Sequence, residues 1–162
     1  MLRGANMSKF YANPYGYGYH GFYFNTAEEL KEKLETADFE EYSIDCIDYE
    51  YSEIFYALNI GRSNLAEFLD FMEGLSDLEV VAVQYLADYN RADLETVMRK
   101  YDDVIIFEGT LRECAEKEMM ETMDIPDHLT RYIDYGVYAR DCVCGGDWVE
   151  YGRYVICNAN SL

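Results

Sequence analysis

Acidic residues outnumber basic ones along the whole length of this chain, and that even excess constrains its fold more than any other feature. Residues 1–50 hold 10 acids and 4 bases, residues 51–108 hold 12 and 4, and residues 109–162 hold 10 and 5. The formal net charge is −19 on 162 residues. A terminal block of like charge would read as a solvated tail, whereas an excess spread through amphipathic segments lays carboxylates over much of a folded surface. Half of the residues are hydrophobic and 16% aromatic, enough apolar area for packed cores. The charge also excludes whole classes of function. Phosphate backbones are bound through Lys and Arg with release of counterions, so this chain is repelled from nucleic acid and from anionic membrane, and its partner is expected to be basic.

The length allows one ordinary domain or two or three very small ones. Five cysteines, an odd number, and no run of about 18 apolar residues or secretory signal point to a reduced, cytoplasmic protein. Met7-Ser8-Lys9 offers an alternative translation start to Met1.

The patterning predicts an α+β fold made of small modules in a row, with a largely helical middle. In residues 1–60, short aromatic runs at Phe10–Ala12 and Tyr19–Phe24 bracket a Tyr/Gly tract and read as two strands joined by a loop. Thr26 and Glu29 have capping-box spacing ahead of a helix carrying Leu30 and Leu34, and Tyr42–Tyr49 alternates imperfectly as a third strand. In residues 61–103, Ser63 is placed to cap a helix with Leu65, Phe68, Leu69 and Met72 on one face, ending near Gly74. Ser76 and Glu79 form a second box before Val80, Val83, Leu86 and Ala87, and Asp93–Tyr101 reads as a third helix. In residues 104–162, Val104–Phe107 reads as a strand, and Thr110 and Glu113 open a helix bearing Leu111, Ala115 and Met119. Pro126 breaks the chain. From Asp127, Leu129, Tyr132, Ile133 and Val137 recur at helical spacing, with Gly136 a weak point, and the end folds as a hairpin about Gly152-Arg153.

Signals of catalysis are poor. Gly16, Gly18 and Gly21 match G-x-G-x-x-G, but an aromatic strand follows where a dinucleotide site needs a helix, so a loop is expected. Cys142, Cys144, Cys157 and His128 lack the paired spacing of a zinc site, and Asp88-x-Asn90 departs from a calcium loop at Ala92 and Asp93. With only His20 and His128 to serve as imidazole bases, nucleophile-and-base catalysis has little to work with. Adjacent acids such as Glu40-Glu41 are expected by chance among 32. No enzymatic activity, cofactor or metal is therefore expected. The 17 tyrosines divide between core packing and rigid partner-contact area.

The run Tyr132-Ile133-Asp134-Tyr135, followed by Tyr138-Ala139-Arg140-Asp141, resembles the signature stretch of the ArdA-type antirestriction proteins of plasmids, transposons and phages. Phe10–Asn13, Thr26–Leu34, Glu40–Asp45 and Leu65–Phe68 agree in the same order, so the likeness covers nearly the whole chain. The resemblance implies an elongated, curved molecule of three small α/β modules, dimeric through its C-terminal region, whose carboxylates imitate DNA phosphates. It also implies occupation of the DNA groove of type I restriction-modification enzymes, blocking restriction and, to varying degrees, methylation. The 132–141 stretch matches the family's antirestriction motif, and the resemblance implies that it lies near the dimer contact and shapes the dimer. The tract at 15–21 and the C-terminal Cys-Val-Cys-Gly-Gly-Asp-Trp depart from the pattern. Candidate partner-binding acids on polar helix faces are Glu67, Asp70, Glu73, Asp77, Glu79 and Asp88. Two rivals are an inhibitor of another DNA-binding defence complex, such as a CRISPR effector, and an acidic adaptor that mimics nothing.

Overall fold

The computed structural model describes residues 9–162; the alternative start at Met7 lies outside them. They fold as a mixed α+β protein with seven α-helices and two small three-stranded antiparallel sheets. Two compact units divide between Met98 and Arg99.

In the first unit, strands β1 (Phe10–Pro14), β2 (Phe22–Phe24) and β3 (Tyr42–Cys46) form a sheet in the order β2-β1-β3. Phe10 stands opposite Phe24 and Ala12 opposite Ile44, which places one face of the alternating strands in the core. The second and third strands are shorter than the expected Tyr19–Phe24 and Tyr42–Tyr49. Residues 15–21 are used by the connecting loop, where Gly16 and Gly18 take positive φ, and Ile47 lies exposed beyond the last rung.

Helix α1 (Ala27–Leu34) starts at Thr26, whose hydroxyl accepts from the Glu29 amide at 3.1 Å. The reciprocal half of the expected box is diverted: the Glu29 carboxylate accepts from the Asn25 amide at 2.8 Å and pairs with Lys33 at 2.6 Å. Helix α2 (Ser52–Ala57), which the patterning does not predict, adds Ile54 and Phe55 to the core. The Phe55 ring lies 5.7 Å from Phe10 and 5.9 Å from Phe68 of helix α3 (Leu65–Glu73), so an aromatic cluster joins sheet and helices. Helix α3 begins at Asn64 rather than the expected Ser63; the Asn64 side chain accepts from the Gly61 amide at 2.8 Å and tightens the preceding turn. Helices α4 (Asp77–Tyr89) and α5 (Leu94–Lys100) follow, so all regular structure within 61–103 is helical. Asp93 accepts from the Thr96 amide at 2.9 Å, a local cap for α5.

The second unit sets β4 (Ile106–Glu108) beside the hairpin β5 (Val149–Tyr151) and β6 (Tyr154–Ile156), in the order β4-β6-β5. The hairpin turns at Gly152, φ +63°, as its sequence predicts. Helix α6 (Leu111–Thr122) opens with the predicted Thr110–Glu113 box and packs on α7 (Tyr135–Gly145). Their core gathers Cys114, Ala115, Tyr135, Ala139, Trp148 and Val155.

One expected helix is corrected. Residues 127–134 hold a short 3-10 turn at Thr130–Tyr132, and the α-helix starts only after Asp134. Of the residues at that helical spacing, Leu129, Tyr132 and Val137 are exposed, and Ile133 is half-buried. The inward positions are instead Tyr135 and Ala139, because those side chains fit against α6 and Trp148. Gly136 sits in the first turn, where a helix-weakening residue costs least.

Candidate partner-binding surface

The carboxylates form the surface. Among the described residues no acidic side chain is buried, and only Glu29, Asp45, Glu79 and Glu118 are even half-buried. On α3 the apolar positions Leu65, Phe68 and Met72 turn inward and leave Glu67, Asp70 and Glu73 on the solvent side. Their i, i+3, i+6 spacing gives about one charge per 4.5 Å of helix axis, close to the roughly 3.4 Å per phosphate along one DNA strand.

Asp77 and Asp88, near the two ends of α4, are also exposed. Glu79 in addition caps α4, since its carboxylate accepts the Ser76 hydroxyl at 2.6 Å and the Ser76 amide at 2.7 Å. Those bonds, the hydroxyl first, hold its pKa below the usual carboxylate value and keep it ionised.

Asp70 and Glu73 come together in a cleft of about 420 Å³ with Glu28 and Glu50, which sequence reasoning had not singled out. Tyr49 and Tyr51 line it, and Lys9 lies 5.7 Å from the Tyr49 ring centre. Burial, reinforced by Tyr51, Cys46 and the nearby carboxylates, pushes the Tyr49 phenol up to about 12, so it remains a neutral donor.

The 132–141 stretch divides into two kinds of position. Asp134 caps α7, its Oδ1 accepting from the Gly136 amide at 3.0 Å and the Val137 amide at 3.2 Å. Tyr135 and Ala139 are buried, and the half-buried Tyr138 packs edge-on against Trp148 at 6.0 Å while its hydroxyl donates to Glu118 at 3.1 Å. Desolvation first, then the hydrogen bond to Glu118 and the Glu118 charge, raises the Tyr138 phenol to about 12. Tyr132, 71% exposed, carries the Arg131 guanidinium over its ring at 4.8 Å, and Arg140 and Asp141 face solvent. The motif thus anchors a helix with one side and presents a surface with the other.

His128 and Cys144 are exposed, whereas the Cys157 thiol lies 3.5 Å from Cys114, a contact that no local spacing announced. Among the described residues no group of three or more His, Cys, Asp or Glu is placed to hold a metal ion, and no helix is long and apolar enough to cross a membrane.

Comparison with curated proteins finds no match. The family model described as antirestriction protein (ArdA) matches residues 11–155, both sheets and all seven helices included except the first residue of β1 and the last of β6. The chain therefore belongs to the ArdA family of antirestriction proteins, which are inhibitors and not enzymes.

Proposed function

We propose that this protein is a phosphate mimic that occupies the DNA-binding groove of a type I restriction-modification enzyme and competes with DNA for it. The observation that carries this reading is the placement of the acidic excess: carboxylates cover the outside of both units and none of those described is buried. Such a surface gains steered association with a basic channel and then displaces DNA by mass action, without turnover.

The acting species in this reading is a cytoplasmic homodimer of elongated chains, each with modules at 1–60, 61–103 and 104–162, joined through the C-terminal region. Two copies, each at −19, carry 38 net negative charges, matching on the order of 65 Å of duplex at roughly one charge per 1.7 Å. Glu67, Asp70, Glu73, Asp77, Glu79 and Asp88 belong to the contact surface, and Tyr132–Asp141 shapes the dimer.

The test is displacement of DNA from a purified type I restriction-modification complex at two salt concentrations. Release near one dimer per complex, weaker at high salt, is the expected result. DNA retained at saturating protein overturns the reading, and the same titration on a CRISPR effector then tests the other defence target.

A further inference from the structure

The loop between β1 and β2 presents tyrosines in an unusual way for a chain with this much core to fill. Tyr15 is 65% exposed, Tyr17 107% and Tyr19 47%. The loop is nevertheless built. The Tyr15 amide donates to the Glu41 carbonyl at 3.0 Å, Tyr19 rests edge-on near Phe39 at 6.3 Å, and Gly21 passes so close to β1 that a Cβ there would strike the Ala12 carbonyl. The rings are therefore displayed from a fixed base.

At that base the protein already shows what such a ring receives. The Arg62 guanidinium lies 5.5 Å over the Tyr42 ring and donates to the Glu40 carbonyl at 3.1 Å. Arg131 over Tyr132 and Arg153 over Tyr154 repeat the arrangement at 4.8 and 5.1 Å. We propose that Tyr15, Tyr17 and Tyr19 form a ring-stacking contact for arginine side chains in the DNA channel of the partner enzyme. This rests on the phosphate-mimic reading and assigns it a component that is not carboxylate. Charge selects the occupant: a second copy or a nucleic acid would set negative charge against the exposed Glu40 and Glu41 beside the loop, whereas a basic channel gains from both acids and rings.

The experiment compares the wild type with two triple variants, Tyr15→Ala/Tyr17→Ala/Tyr19→Ala and the corresponding Phe triple, in the DNA-displacement titration with the purified type I complex. Circular dichroism checks that each variant is folded. An exposed ring-cation contact is worth roughly two- to fivefold in affinity, so the Ala triple should lose about ten- to a hundredfold. Its salt dependence should match that of wild type, because no carboxylate has been removed, and the Phe triple should stay within about threefold. A folded Ala triple that competes as well as wild type overturns this proposal alone. So does a loss shared by the Phe triple, or a change in oligomeric state that accounts for the loss. A wild type that leaves the enzyme on its DNA overturns the phosphate-mimic reading and this contact with it.

Discussion

Replacing Asp134 with Ala should melt the second unit early by removing the cap of α7. The Asp134 carboxylate satisfies two amides at the start of α7, those of Gly136 and Val137. Loss of such a cap costs about 0.5–2 kcal/mol, and loss of a negative charge at a helix N-terminus adds about 0.3–1 kcal/mol. The unit spans Arg99–Leu162, and for a domain of that size each kcal/mol moves the midpoint by about 4–8 °C, so Asp134→Ala should lower Tm by about 3–24 °C. Trp148, the sole tryptophan, is buried in this core, and its fluorescence reports the unit's unfolding directly. Asp134→Asn keeps the acceptor and loses only the charge, so it should fall by about 1–8 °C. Well below the transition, any loss of DNA displacement by Asp134→Ala reads the dimer-shaping role proposed for Tyr132–Asp141 and not the cap. An unchanged Trp148 melt for the Ala variant would refute the assignment of Asp134 as a cap.

Three further perturbations follow from the same structure. Tyr138→Phe removes the hydroxyl that donates to the half-buried Glu118 but keeps the ring on Trp148, and should cost about 1 kcal/mol in the Trp148 melt. Because the folded phenol titrates near 12 against a usual 10, its stabilisation is complete below pH 10 and lost toward 12; the wild type should lose stability more steeply over that window than the Phe variant. The triple change of Glu67, Asp70 and Glu73 to Gln should leave the fold intact, weaken DNA displacement and make its salt dependence shallower, and an unchanged salt slope would remove α3 from the contact surface. Gly21→Ala brings a methyl group onto the Ala12 carbonyl and within 2.6 Å of the Tyr11 ring, so thermal unfolding should show a loss of about 1–3 kcal/mol, with no loss if the loop can lift away from β1.

The features legible from sequence are those decided by residues close together in the chain. The boxes at Ser76–Glu79 and Thr110–Glu113 join positions three apart, the last hairpin turns on Gly152, and the apolar stripe of α3 fixes which of its acids face water. The nearly uniform acidity, and with it the expectation of a basic partner, is likewise set by composition. The 132–141 resemblance identified the family that the match over residues 11–155 establishes.

Other choices are made across the chain. Val104–Phe107 and Ile106–Glu108 are comparable strands locally, and β6 selects the second by pairing Ile106 with Ile156. The helical spacing of Leu129, Ile133 and Val137 competes with that of Tyr135 and Ala139, and the second set prevails because α6 and Trp148 offer it a core. Glu29 meets local capping geometry yet turns to Asn25 and Lys33, while α2 is too short to announce itself and is held by Phe10 and Phe68. Sequence alone thus determined the charge, the caps and the amphipathic faces, since these depend on residues within one or two turns. Only tertiary structure decided which competing face was buried and which acids shared a cleft, because burial free energy depends on surfaces brought together from distant parts of the chain.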